Sequence, residues 1–515
     1  MARLTLLSRR GIRQQFAHPV KAMAEEESPA SLHLLHEHAR AIFAHALGAC
    51  RIEYAFHHRI RFDGKTLLLE YPPEMGPNQM RLDQPPAHIE LGGYREILIV
   101  ALGKAAVPMT QSLLEILPPA LQVRGICAAP SRPARPDPRI RYYAGGHPLP
   151  NSDSFRAARG ALRLLGRASG EAFVIYLISG GGSTLCDLPL DPGISLDDTI
   201  AFHQALIASG ATIGEMNTLR KHFSAVKGGR LATAAPDALK LTLQVVDVPW
   251  HQADAVASGP TLADPSTVND CRELLERYQL LEKFPASVRS FFSRPDLPET
   301  PGDKVAMKQR AQQVKAAVEA GREGTSFTGF SRQPAGLSNW LATLLSNRDL
   351  LRAAREKAAA LGYEVIVDNA CDDWPYDKAA GYLVDRLVEL RGRHADRKVC
   401  LLSGGEVTVH LDRRPGTGGR NQQFALACAL LFHKRFRGQP VACLSAGSDG
   451  ADGNSPAAGA LSNPSTVTRA QALGFDAQAA LDGFDACPLL TALGDSLRTG
   501  PTGNNLRDLR ILLHG

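Results

Sequence analysis

The feature that most constrains this chain is a recurring unit: a short, continuous apolar run, closed by a polar or glycine-rich turn and followed by helical spacing. Glu96-Ile97-Leu98-Ile99-Val100-Ala101-Leu102 ends at Gly103-Lys104, Phe173 to Ile178 ends at Ser179-Gly-Gly-Gly-Ser183, and Leu241 to Val246 ends at Asp247-Val-Pro249. Strands buried on both faces of a parallel sheet are apolar at successive positions. Strand, turn and helix in alternation is the grammar of an α/β domain.

The same grammar returns late in the chain. Tyr363 to Val367, Val399 to Leu402, Val441 to Leu444 and Leu509 to Leu513 read as strands; Leu32 to Leu47, Asp349 to Leu361 and Ala379 to Leu390 read as helices. Ile52 to Tyr71 reads as a short ribbon. Between Pro295 and Pro334 the periodicity weakens apart from a helical patch, Val305 to Ala320. These shifts divide the chain into a leader or disordered N-terminus (1–31), an N-terminal Rossmann-like parallel-sheet domain (32–297), a connection (298–334) and a smaller C-terminal α/β domain (335–515), with a cleft between the domains.

Composition removes other classes. With 515 residues, 44% hydrophobic, the chain has ample core for two or three domains. It contains no apolar run near the roughly 18 residues of a membrane span. The 58 Lys and Arg against 52 Asp and Glu leave +6, thin support for a nucleic-acid partner, which asks for a concentrated basic face. The 9 cysteines are scattered and form no C-x-x-C pair, as suits a reducing compartment. Met1 to Ala24 carries Arg3, Arg9, Arg10, Arg13 and Lys21 and no acidic residue. This is either a transit-peptide composition, placing the chain in mitochondria, or a leader before a start at Met23, placing it in the cytoplasm.

In open parallel sheets ligands bind at the carboxyl ends of strands, and a glycine turn into a helix offers N–H groups to an anion. Lys104 stands at such a strand end, either solvated or facing the ligand. Residues 214–230 gather Arg220, Lys221, His222, Lys227 and Arg230, with Arg220, Ser224 and Lys227 on one face if the segment is helical throughout. Asp247 closes a strand as either a turn former or a metal carboxylate, with Asp254 a weaker candidate. Glu406 joins two strands, Arg420 opens a helix in Gly418-Gly-Arg-Asn-Gln422, and Asp449 and Asp452 follow another strand. Arg at such a turn can bind phosphoryl or carboxylate oxygens bidentately. Lys and Arg beside carboxylates, from both halves of the chain, suit phosphoryl transfer in a cleft.

The set Gly103-Lys-Ala-Ala106, Ala144-Gly-Gly-His-Pro148, Ser179-Gly-Gly-Gly-Ser183, Arg220-Lys-His222 with Lys227-Gly-Gly-Arg230, Ala257-Ser-Gly-Pro-Thr261, Gly418-Gly-Arg-Asn-Gln422 and Thr499-Gly-Pro-Thr-Gly503 resembles the glycerate 2-kinase family, whose C-terminal portion is called MOFRL. The resemblance runs from about residue 33 to 515. It implies ATP- and Mg²⁺-dependent phosphorylation of D-glycerate to 2-phosphoglycerate, with Lys104 and Arg420 catalytic. Two loops depart from the family pattern: Val246-Asp-Val-Pro-Trp-His251 lacks a second carboxylate, and Ser448-Asp-Gly-Ala-Asp-Gly-Asn-Ser-Pro456 lacks a third.

The expected assignment follows. His147, Ser179, Gly181, Gly182, Ser183, Asn217, Arg220 and Lys227 surround glycerate, with Arg220 and Lys227 on its carboxylate. Gly103, Gly418, Gly419, Asn421, Gln422 and Asn505 surround ATP, and Asp247, Glu406, Asp449 and Asp452 supply the metal ligands. The expected partner is a small molecule, with no nucleic acid or membrane, and the chain is a monomer or homodimer. The rival readings are a hydroxypyruvate reductase and a silent hydroxy-acid binder.

Overall fold

The computed structural model describes residues 29–70, 88–302, 339–411, 414–436 and 438–515. A small antiparallel sheet, β1 (Ile60–Asp63), β2 (Thr66–Leu69) and β3 (His88–Glu90), precedes a large one. The large sheet is wholly parallel, and its strands are β4 (Glu96–Leu102), β5 (Val123–Ala129), β6 (Ile140–Ala144), β7 (Ala172–Ile178), β8 (Leu239–Val245) and β9 (Asn339–Leu345). Their order, β6-β5-β4-β7-β8-β9, is doubly wound, with the topological switch between β4 and β7.

Alternate residues of β4 and β7 serve two cores. Leu98, Val100, Val174 and Tyr176 meet Ala157, Ala158 and Ala161 of the helix Ser152–Leu165. Ile97, Ile99, Phe173 and Ile175 face the other way, with Met109 and Leu113 of the helix Ala106–Ile116. Coverage on both faces is why these runs are apolar at every position.

The second sheet holds β10 (Tyr363–Val367), β11 (Lys398–Gly405), β12 (Val441–Gly447), β13 (Gly459–Ser462), β14 (Ser496–Leu497) and β15 (Asp508–His514), in the order β10-β11-β15-β12-β13-β14. The last strand of the chain is slotted antiparallel between β11 and β12. Helices Tyr376–Arg393 and Arg420–Arg435 cover one face. Helices Pro29–Ala49 and Asn347–Ala360 cover the other.

The two-sheet α/β architecture is the one expected. Some details differ. Ile52 to Arg59 is a helix, and only Ile60–Asp63 and Thr66–Leu69 form the ribbon. A boundary at 335 would cut β9, which pairs with β8, away from the first sheet. The helix Pro29–Ala49 lies on the second sheet, not the first, and a single apolar cluster runs from Leu35 and Phe43 through Ile99 and Phe173 to Leu402 and Ile511. The patch Val305 to Ala320 and the basic segment Met1 to Ala24 lie outside the described residues. Among the described residues no helix is long and apolar enough to cross a membrane.

Candidate active site

At the switch point the carboxyl ends of β4 and β7 lie side by side. Gly103 has φ +124°, and a Cβ there would lie 2.2 Å from Ser179 Oγ, so only glycine fits. The Lys104 N–H donates to the Gly180 carbonyl at 2.8 Å, and Ser179 Oγ accepts from the Ala105 N–H at 3.0 Å. Ser179 therefore fastens the turn rather than facing a ligand, while the Lys104 side chain is exposed. Asp247, at the end of the next strand over, packs onto the same turn: a Cβ on Gly180 would lie 1.6 Å from its Oδ2. Burial raises the Asp247 pKa, opposed by Lys104 and by Arg507 from the second sheet.

Gly181, φ +80°, opens the short helix Gly182–Leu185 against Lys104 and the ring of His147. His147 Nδ1 bonds Thr184 Oγ1 at 3.1 Å. Desolvation, with Lys104 and Arg220 nearby, lowers its pKa. Behind it Ser183 Oγ meets Ser258 Oγ at 2.7 Å, Ser258 Oγ donates to Asn217 Oδ1 at 3.0 Å, and Arg220 Nη1 donates to that oxygen at 3.3 Å. Ala257 and Ser258 hold φ of 52° and 60°, a left-handed conformation costing about 1 to 3 kcal/mol for each residue with a Cβ. Strain of this kind is kept where surrounding structure needs it. Sequence reading did not single out Ser258, although the turn containing it was visible.

Arg220 is 8% exposed, its Nε has no hydrogen-bond partner, and burial lowers its pKa. Among the described residues it forms no ion pair, which leaves an enclosed cation suited to a carboxylate or phosphate. Lys227 differs. Its Nζ pairs with fully buried Asp187 and donates to Ser224 Oγ at 3.2 Å, while His203 Nε2 lies 2.7 Å from the other Asp187 oxygen. The expectation that Lys227 meets substrate is thus corrected: the helix Ile213–Phe223 stops before Ser224, which is extended at φ −99° and ψ 141°, so helical spacing does not carry through to 227.

In the second sheet the centre is Arg420, the first residue of its helix. Its Nε and Nη2 donate to the carboxylate of Asp508 at 2.6 and 2.9 Å, and Glu406 Oε1 lies 2.8 Å from Nη2. Beside them Arg507, at φ +68°, is bidentate to Asp372 at 2.6 Å for both bonds, and its N–H donates to Asn505 Oδ1 at 2.9 Å. Asp508, Arg507 and Asp372 escaped the sequence reading; the available signal was a charged Arg-Asp pair directly before an apolar strand.

Several expected ligand contacts are already engaged within the lobe. Asp452 accepts from the N–H groups of Asn421 and Gln422 at 3.0 and 2.9 Å and so caps the helix. The Gly418 N–H donates to Asn454 Oδ1 at 2.8 Å, and Gly419 is the N-cap residue. The side chains of Asn421 and Gln422 are buried against Ser445 and Ser455. These groups shape the Arg420 turn rather than lining a nucleotide. Asp449 Oδ1 accepts from the Ala451 N–H at 3.1 Å, within its own turn.

Among the described residues no three His, Cys, Asp or Glu side chains gather around a metal position. Mg²⁺ needs only one or two carboxylates when substrate phosphates complete its shell. Asp247 and Glu406 suit that arrangement. Burial, Asp508 and Asp247 push the Glu406 pKa up to about 7 against Arg420 and Arg507. Two desolvated carboxylates, one from each sheet, repel each other unless a cation lies between them. Asp452 does not suit it, since both its oxygens hold helix N–H groups. Asp254 lies outside the residues whose side chains are described.

A doubly wound sheet with a lysine and a buried carboxylate at its switch point, beside a second α/β lobe that carries an arginine among carboxylates, has the parts of a kinase: cations for the transferring phosphoryl group and hard oxygen ligands. Residues 38–293 match the model "Domain of unknown function (DUF4147)", and residues 399–508 match the MOFRL family. Glycerate 2-kinase of Pyrococcus horikoshii is 31% identical over 421 residues, 81% of this chain and 87% of that protein. A protein of Agrobacterium vitis with the provisional name hydroxypyruvate reductase is 34% identical over 423 residues, 81% of this chain and 87% of its own. The crystal structure of glycerate kinase from Thermotoga maritima superposes with TM-score 0.72 at 28% identity, covering 94% of this chain and 100% of that one. The chain belongs to the glycerate 2-kinase family.

Proposed function

We propose that this chain transfers the γ-phosphoryl group of ATP to the 2-hydroxyl of D-glycerate. The observation that carries the reading is the meeting of two strand-end clusters: Asp247 of the first sheet pushes the Glu406 pKa up, and Arg507 of the second sheet pulls the Asp247 pKa down. Lys104 and Arg420 therefore serve one crevice. Arg220, with His147 beside it, takes the glycerate carboxylate, which orients the hydroxyl. Its oxygen forms the new P–O bond as the bond to the bridging oxygen of ADP breaks, and the hydroxyl proton passes to solvent. Lys104 and Arg420 balance charge on the equatorial phosphoryl oxygens, the contribution that dominates such transfers. Asp247 and Glu406 would hold Mg²⁺, which would supply further charge neutralisation.

The Agrobacterium relative's name favours a second reading, reduction of hydroxypyruvate. A nicotinamide site at the switch point needs a G-x-G-x-x-G turn after its first strand, and here β4 runs into Gly103-Lys-Ala-Ala106. Incubation with D-glycerate and Mg·ATP should yield ADP and a phosphomonoester that ³¹P–¹H coupling places on carbon 2. NADH oxidation dependent on hydroxypyruvate, with no ADP formed from glycerate, would overturn the assignment.

A further inference from the structure

A groove of about 810 Å³ wraps the β6 edge of the first sheet, at the amino ends of β5 and β6. Lys104 and Asp247 lie at the other, carboxyl, end of that sheet. Arg124 of β5, Arg141 of β6, Arg132 and Arg139 of the intervening turn, and Arg163 and Arg167 at the end of the helix Ser152–Leu165 line the groove. No Asp or Glu is among its lining residues.

The parallel register brings these side chains together. Ile126 pairs with Arg141, so Arg124, two residues before Ile126, projects to the same face as Arg141. That is the face the helix Ser152–Leu165 covers, and Arg163 and Arg167 leave its end. Three of the cations are balanced from outside the groove. Arg124 pairs with Glu96, Arg139 with Asp137 at 2.8 Å, and Arg132 reaches Asp153 at 3.5 Å. Among the described residues Arg141, Arg163 and Arg167 form no ion pair. The negative end of the helix dipole accounts for cations at 163 and 167, but not for Arg124 and Arg141 on the strands.

We propose that this groove is a second anion site, taking a small phosphorylated metabolite with three or more negative charges. Arginine forks match phosphate oxygens bidentately. The volume falls within the range of about 300 to 1,000 Å³ typical of small-molecule pockets. Arg141, Arg163 and Arg167, which lack a carboxylate partner, repel one another, and an anion between them removes that repulsion. The site is independent of the catalytic reading above.

The test is calorimetric titration of the full chain with inorganic tripolyphosphate, in parallel with R141Q/R163Q/R167Q. The wild-type protein should show two binding events, because the catalytic crevice also takes a polyphosphate. The triple variant should lose one of them, each removed charge-assisted contact weakening it about tenfold. These three side chains are exposed, and unchanged kcat and KM for ATP and glycerate verify the variant's fold. A single event in the wild type, or a second event that survives the substitutions, overturns the proposal. So does a short RNA that binds through the same arginines more tightly than tripolyphosphate.

Discussion

Asp508 has no exposed side-chain surface, and both its carboxylate oxygens are spent on Arg420. The carboxylate fixes the plane of the guanidinium while Glu406 approaches from another side at 2.8 Å. In the proposed reaction Asp508 is therefore a positioning residue: both its oxygens hold Arg420, and it sets where the guanidinium lies. Asp508→Asn is expected to lower kcat about ten- to hundredfold, the value of a hydrogen bond to a charged group, with KM for D-glycerate little changed. Steady-state kinetics check this, and Arg420→Lys should be no better, because an ammonium cannot accept the bidentate orientation.

Gly180 holds Asp247 in place by lacking a side chain. Gly180→Ala puts a methyl where Oδ2 now lies, and the carboxylate must swing away. A displacement of about 1 Å at a reacting centre costs on the order of a hundredfold in rate. The variant should show that loss in kcat and a shift of half-saturating Mg²⁺ to higher concentration; an unchanged Mg²⁺ profile would remove Asp247 from the metal.

Two buried cations of one segment should behave in opposite ways. Lys227→Met strips buried Asp187 of its partner and should cost about 3 to 5 kcal/mol in urea unfolding, leaving KM for D-glycerate unchanged in the folded protein. Arg220→Gln should leave stability intact, since no ion pair is broken, and raise that KM at least about tenfold.

The same cluster predicts a pH dependence. Burial depresses the His203 pKa below its ordinary value of about 6.5. For Asp187 burial pulls upward, but Lys227 and His203 outweigh it and hold the carboxyl well below its usual range. On both groups the unfolded chain binds more protons than the folded one, so their contribution is full above about pH 6.5 and is lost as pH falls. The Tm should drop between pH 7 and pH 5, and His203→Gln should flatten that slope by calorimetry.

Much of the fold is legible in the sequence. Runs buried on both faces announce β4, β7 and β8, and Lys104 and Asp247 follow the carboxyl ends of β4 and β8. Where reading failed, a long-range partner decided the outcome. β5 passed unnoticed because Gly125, Cys127 and the alanines that follow give a weak apolar signal, and β9 because its place depends on the free edge of β8. Asp452 resembled a cleft carboxylate, since nothing local shows that the helix start at Asn421 and Gln422 would claim both its oxygens. Lys227 is misplaced because a helix end about one turn earlier is invisible to spacing alone.

The crossing of the chain between lobes has a consequence for how such an enzyme can change. The helix Pro29–Ala49 leaves for the second sheet before the first is built, and β9 closes the first sheet after the 303–338 stretch. Each lobe thus borrows a segment lying on the far side of the other's boundary, like two halves of a clasp. Neither can be exchanged as a cassette with a relative's lobe at a single crossover, so new specificity has to come from substitutions in the crevice rather than from swapping halves.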